Sequence, residues 1–193
     1  ALQTLGFDPD TSVGSERELE GRADALFDAQ QWKDAANAYG ALLAAFPNRQ
    51  DRERLALRRG TAAAMARDFP GAQTALLMVS TRDPKLHAEA LYQIANAARR
   101  AGLGSELEST VSRLRTTYPK SDWTARAIGE LIDYYDGRER TSEKIAMQRV
   151  LVANFPSSEK SAQASYELGW LAYRAGDFRS ASEQFLFHLS TYR

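Results

Sequence analysis

The chain has 193 residues, 44% of them hydrophobic, with 25 Lys+Arg balanced by 25 Asp+Glu and no cysteine. Zero formal charge gives no global field toward nucleic acid or an anionic membrane. The absence of cysteine excludes disulfides, thiol nucleophiles and thiolate metal sites. No segment is long and apolar enough to read as a transmembrane helix, and no signal-peptide pattern is present. A sequence that opens at Ala1 reads as a processed or recombinant form, from which a targeting segment could have been removed.

Residues 1–14 mix Gly, Pro, Asp, Ser and Thr without an apolar period, so 1–15 is expected to be a flexible leader or linker. From residue 16 onward, helix formers dominate and no Val/Ile-rich strand run appears. The pattern predicts ten helices in five pairs. They fall at about 16–29 and 32–46, 50–66 and 69–80, 85–101 and 104–117, 122–135 and 141–154, and 159–175 and 178–191. Pro47, Pro84, Pro119 and Pro156 close the first four pairs, and Arg193 takes the proline slot of the fifth. Proline stops the helix before it and can begin the next. Successive slots lie 37, 35, 37 and 37 residues apart, a regularity that marks an internal repeat.

Within a unit, two slots favour small residues. The first reads Ala23, Gly60, Ala95, Ile132 and Gly169; the second reads Ala35, Ala72, Leu107, Lys144 and Ala181. Small side chains there let the two helices approach. Four residues later a larger apolar residue fills the gap: Tyr39, Leu76, Val111 and Phe185. Unit four breaks the rule with Gln148. Either its register has slipped around Gly137 or Ala146 supplies the close contact. Trp32, Phe69 and Phe178 recur at the turn inside a pair, where they plug the hinge, and Gly102 and Gly176 can end a helix at positive φ. The fold class read from this is all-α: a right-handed superhelix, or solenoid, of about five antiparallel helix pairs over 16–193. The last helix is apolar, with Phe185, Leu186, Phe187 and Leu189, and no polar cap helix follows it. Solenoid ends normally carry a polar outer face. The domain is therefore expected to be truncated at its C-terminus, with this helix meeting a missing domain or a second copy.

The slot order of small, small, aromatic and proline resembles the tetratricopeptide class, at a slightly longer period. A narrower resemblance rests on Ala90–Ala95, on Tyr118–Trp123, and above all on Tyr166–Phe178 followed by Ala181 and Phe185. These segments are similar to the end of the helical superhelix of bacterial soluble lytic transglycosylases, periplasmic enzymes that cleave peptidoglycan glycan strands with one catalytic glutamate in a separate lysozyme-like domain. The resemblance covers about residues 85–193. The catalytic motif of that family, a glutamate before a serine with a later Gly-Leu-Met-Gln stretch, has only one echo here. That echo is Glu108-Ser109, which continues Thr110-Val111-Ser112 inside a repeat helix, and no Gly-Leu-Met-Gln occurs. The resemblance implies the noncatalytic part of such an enzyme, in the periplasm or cell envelope of a bacterium, with a cytoplasmic location also open. It would shape access to glycan strands or position a missing catalytic domain. The alternative is a tetratricopeptide-type adaptor for a protein or peptide in envelope assembly or cell division.

Neither reading calls for a cofactor or a metal. His87 and His188, the only histidines, lie far apart in sequence, and no phosphate loop or nucleophile elbow occurs. The first helices of such pairs line the concave groove. This makes Tyr92, Asn96 and Arg99 of unit three, Tyr134 with Tyr135 of unit four, and Tyr166, Trp170, Tyr173 and Arg174 of unit five the candidate binding residues. Aromatic rings beside arginines and amides stack on sugars or grip a peptide. Trp170 has a second reading, as packing between pairs. The paired arginines at 52–59, 99–100 and 138–140 read as solvated helix faces.

Overall fold

The computed structural model describes residues 9–192, with side chains from Glu16 onward. These residues form ten helices: α1 (Pro9–Asp28), α2 (Trp32–Ala45), α3 (Arg52–Met65), α4 (Phe69–Leu76), α5 (Pro84–Ala101), α6 (Gly104–Thr117), α7 (Asp122–Asp136), α8 (Thr141–Asn154), α9 (Glu159–Arg174) and α10 (Phe178–Thr191). No strand occurs among the described residues. The chain divides into two compact units, one up to Ala97 and one from Ala98, with the division inside α5.

The helix map differs from the sequence expectation at two ends. Helix α1 begins at Pro9, so residues 9–15 of the expected leader are helical, while residues 1–8 lie outside the described residues. Helix α4 stops at Leu76 and not near residue 80. Met78 and Val79 donate to Ala75 and Leu76, bonds that tighten the chain out of the α register.

The turn inside every pair is built the same way. A residue 17 positions before the proline slot takes the left-handed conformation: Gln30, Arg67, Gly102, Glu139 and Gly176, with φ of 58, 63, 74, 57 and 79°. The residue after each donates its N–H back to a carbonyl of the last helical turn, as in Gln31 to Leu26 (2.9 Å), Asp68 to Ala63 (2.9 Å) and Arg140 to Tyr135 (2.9 Å). This is the Schellman closure, which satisfies helix-end carbonyls. Asp68 and Asp177 then cap the following helices by accepting from Gly71 and Ser180.

This regularity corrects one expectation. The register of unit four has not slipped around Gly137, whose φ is −67°. Glu139 holds the left-handed slot, and Gln148 sits buried in the slot that Tyr39, Leu76 and Val111 fill elsewhere. The small-residue slots behave as read. A Cβ on Gly60 would fall 2.4 Å from Leu76 Cγ, and one on Gly169 would fall 2.7 Å from Phe185 Cε1. Each glycine is thus the price of close contact with the gap-filling side chain of its own pair.

In the first unit, Ala23, Ala35, Tyr39, Leu42, Leu43, Leu55, Ala56 and Ala62 form a core across α1, α2 and α3. In the second, Leu107, Val111, Leu114, Ala127 and Ile128 are buried in α6 and α7, and Val152 packs with Ala164 and Leu168 across α8 and α9. The second helix of one pair carries the first helix of the next at α2/α3, α6/α7 and α8/α9, while α10 packs on α9. No described helix is long and apolar enough to cross a membrane.

Candidate functional site

Spacing of four and then three residues places Tyr166, Trp170 and Tyr173 on one face of α9. All three are exposed, Trp170 at 41%. Their rings meet edge to face: Tyr166 and Trp170 centroids lie 6.3 Å apart at 78°, Trp170 and Tyr173 5.4 Å apart at 87°. Phe178, at the start of α10, continues the run 5.5 Å from Tyr173. Phe185 of α10 supports it from below, 5.8 Å from Tyr166 and 6.1 Å from Trp170. His188, one turn further on, lies 5.7 Å from Tyr166. Gly169 makes this possible, because any side chain there would push Phe185 away from α9. Arg174 is exposed at the end of the same helix.

The structure thus brings Trp170, Tyr173 and Arg174 together, with Tyr166 beside them. The other candidates are placed differently. Tyr134 lies under the Arg138 guanidinium, 4.9 Å from ring to cation, and its hydroxyl occupies the space a side chain at Gly104 would need. Arg99 is ion-paired with Glu130, both partly buried. Tyr92 and Asn96 are half-buried on the part of α5 that belongs to the first unit, and both are engaged in interactions. Phe178 and Phe185 were assigned packing roles from the sequence. Their aromatic character, four and eleven residues past Arg174, is the signal that ties them to the exposed face.

Several charged residues that stood out in the sequence have structural partners. Arg140 binds Glu108 (2.6 Å) and Glu143 (2.8 Å), which gives Glu108 a framework role. Arg58 reaches Asp24 (2.5 Å) and the Tyr39 hydroxyl (3.0 Å). Burial, reinforced by the hydrogen bond to Asp24, pushes the Tyr39 phenol up to about 12. Arg49 ties Glu16, Glu20 and Asp51 together at 2.6–2.8 Å.

A second polar feature lies among α7, α8 and α9. Lys144 reaches Asp136 (2.8 Å) and Glu167 (3.2 Å), and Gln148 Nε2 donates to Glu167 (2.6 Å). Gln163 donates to the other Glu167 oxygen (2.8 Å), and Lys160 pairs with Asp133. Burial works to raise the Glu167 carboxyl, but the hydrogen bonds from Gln163, Lys144 and Gln148 outweigh it and hold the group below the usual carboxylate value. Burial likewise works to lower the Lys144 ammonium, and Asp136 and Glu167 together raise it instead. The cleft encloses about 60 Å³, and its charges are largely satisfied by one another. No group of His, Asp and Glu able to hold a metal occurs among the described residues.

The fold is all-α, built of paired antiparallel helices in a tetratricopeptide-like repeat. No protein-family model and no curated protein matches the chain. Solved structures do. The crystal structure of MamA is similar over 88% of this chain and 93% of its own, at 19% identity and a TM-score of 0.61. A MamA RS-1 double mutant covers 91% of this chain and 93% of its own, at 18% identity and a TM-score of 0.59. MamA from residue 41 to its end, from Desulfovibrio magneticus RS-1, covers 91% and 94%, also at 18% and 0.59. At these identities the likeness shows a shared fold of paired helices.

Proposed function

We propose that the chain is a noncatalytic scaffold that binds a protein partner through the aromatic face of its last helix pair. The observation that carries this is the exposed run of Tyr166, Trp170, Tyr173 and Phe178, built on a rigid helix and supported by Phe185. Aromatic anchors near an arginine are the side chains that most often dominate protein interfaces. Edge-to-face rings also bear on the choice of partner. Successive sugars of a glycan strand stack on flat aromatic faces, whereas neighbouring rings here stand at 78° and 87°. Rings in edge-to-face contact present no continuous flat platform, and their uneven apolar surface suits the side chains of a protein partner.

The second reading is the glycan-access module of a lytic transglycosylase in the bacterial envelope. It rests on the similarity of Tyr166–Phe178 to that family. Repeat packing alone accounts for several residues of this segment: Leu168 is buried, Gly169 meets Phe185, Gly176 takes positive φ and Asp177 caps α10. The protein-partner reading is therefore preferred.

Photo-crosslinking from Tyr173 in the cells that make the protein separates the two, alongside sedimentation with purified peptidoglycan. The preferred reading expects one defined protein adduct, reduced about tenfold or more by Trp170→Ala. No adduct, with Trp170-dependent sedimentation on peptidoglycan, would establish the glycan reading in its place.

A further inference from the structure

Helix α8 breaks the repeat at two slots. Lys144 stands where the other pairs carry Ala35, Ala72, Leu107 and Ala181, and Gln148 stands where they carry Tyr39, Leu76, Val111 and Phe185. Natural sequences tend to break a structural rule at functional sites. The consequence here is a buried acceptor without a donor. Gln148 is 2% exposed, it lines the cleft among α7, α8 and α9, and its Oε1 has no hydrogen-bond partner among the described residues. A neighbour fixes the orientation of this amide. Glu167, ion-paired with Lys144, offers only acceptors, so Gln148 must turn Nε2 to it and keep Oε1 away from it.

The charges around the cleft do not cancel. Asp133, Asp136 and Glu167 supply three carboxylates, against the two ammonium groups of Lys144 and Lys160. An acid also stands outermost: the Asp136 side chain is 65% exposed and that of Lys144 20%. The same slots in the first pairs close without a remainder. Asp24, Tyr39 and Arg58 lie as far from their proline slots as Asp133, Gln148 and Glu167 do. Arg58 binds Asp24 (2.5 Å) and the Tyr39 hydroxyl (3.0 Å), and that hydroxyl donates to Asp24 in turn. One base meets one acid there. In the cleft an acid, Glu167, stands in the slot of that guanidinium, and Lys144 and Lys160 leave one negative charge in excess.

We infer that this cleft receives the cationic head of a lysine or arginine side chain from the protein partner, beside the aromatic face. The head donates to Gln148 Oε1 and sets its charge against Asp136 and Glu167. At about 60 Å³ the cleft has room for about two water-sized groups, which fits one side-chain head and excludes a larger ligand. Its excess acid attracts a cation and repels a carboxylate or a phosphate. Gln163 and Glu167 border the cleft on α9, and Tyr166 lies three residues after the first and one before the second. A segment that inserts its cation here therefore lays its neighbouring apolar residues on Tyr166 and Trp170. This rests on the protein-binding reading and adds the chemistry of the partner: a basic residue flanked by apolar ones.

The test is titration of the intact chain with the terminally blocked tripeptides Leu-Arg-Leu, Leu-Lys-Leu and Leu-citrulline-Leu, read from the side-chain amide NMR signals of Gln148 and Gln163. Citrulline keeps the shape of arginine without its charge. The inference expects the arginine or the lysine peptide to move the Gln148 signal to saturation and the citrulline peptide to bind about tenfold or more weakly. It expects a loss of similar size with Gln148→Leu, read from Gln163, and with Glu167→Gln. Gln148→Leu keeps the helical circular dichroism of the wild type, so its loss of binding is loss of the site. A Gln148 signal that no peptide moves would overturn the inference, as would a citrulline peptide that binds as well as the arginine one. Binding indifferent to Gln148→Leu and Glu167→Gln but lost with Trp170→Ala would overturn the cleft as a site and leave the protein-binding reading intact. Free arginine or a short diamine that binds as tightly as the peptides would assign the cleft to a small amine and overturn the assignment to a partner's side chain. Absence of a protein adduct in the crosslinking experiment tells separately against the broader reading.

Discussion

At the scale of single residues, the left-handed position in each turn is the most demanding. Glycine fills it in units three and five, but Gln30, Arg67 and Glu139 fill it elsewhere. An L-residue there places Cβ against the following carbonyl, at a cost of about 1 kcal/mol that glycine does not carry. Arg67→Gly and Glu139→Gly are each expected to stabilise the fold by about 1 kcal/mol, read as a rise in thermal midpoint; Gly102→Ala is expected to lower it by a similar amount. A fall in midpoint for Glu139→Gly would mean that its side chain contributes more than its backbone costs. Part of this was legible. Gly102 and Gly176 announced helix ends at positive φ, whereas Gln, Arg and Glu carry no such signal. Their role appears only through their common distance from the proline slot.

At the scale of elements, unit four is the exception that the sequence flagged and misassigned. Lys144 and Gln148 occupy slots that are apolar elsewhere, and the expected remedy was a shifted register or a close contact from Ala146, which is exposed. Helix α8 keeps the register because Leu151 and Phe155 still fill their slots, both buried. The two polar residues are accommodated instead by Asp136 and Glu167 on the neighbouring helices, partners that lie 8 and 19 residues from them in sequence and leave no local pattern. Gln148 Oε1 remains buried without a hydrogen-bond partner. Gln148→Leu removes that cost and restores the apolar slot, so it is expected to stabilise the protein by about 1 kcal/mol in urea unfolding. A loss of stability would show that the hydrogen bond to Glu167 outweighs it. The sign of the pH dependence follows. Glu167 is held below its ordinary value, so its contribution is present above that value and fades as pH falls through the lowered one. The helix map itself was the most legible feature, because proline stops and the small–small–large slots repeat in step. The short end of α4 was not, since its tightening depends on bonds among Ala75, Leu76, Met78 and Val79.

At the scale of the molecule, a helical repeat holds each pair mainly through its neighbours. The sequence marked the last helix as unusually apolar, and Trp170, Tyr173 and Arg174 as candidates. It did not show that Phe178 and Phe185 of α10 extend and support that face, because this requires α10 to pack back on α9. The central claim is that the exposed aromatic face of the last pair binds a protein partner. Photo-crosslinking from Tyr173 in the cells that make the protein tests it most directly, with the intact chain and with Trp170→Ala. The expected result is one defined protein adduct, reduced about tenfold or more by Trp170→Ala. If no protein adduct forms, or if the adduct is indifferent to Trp170→Ala, the claim is contradicted.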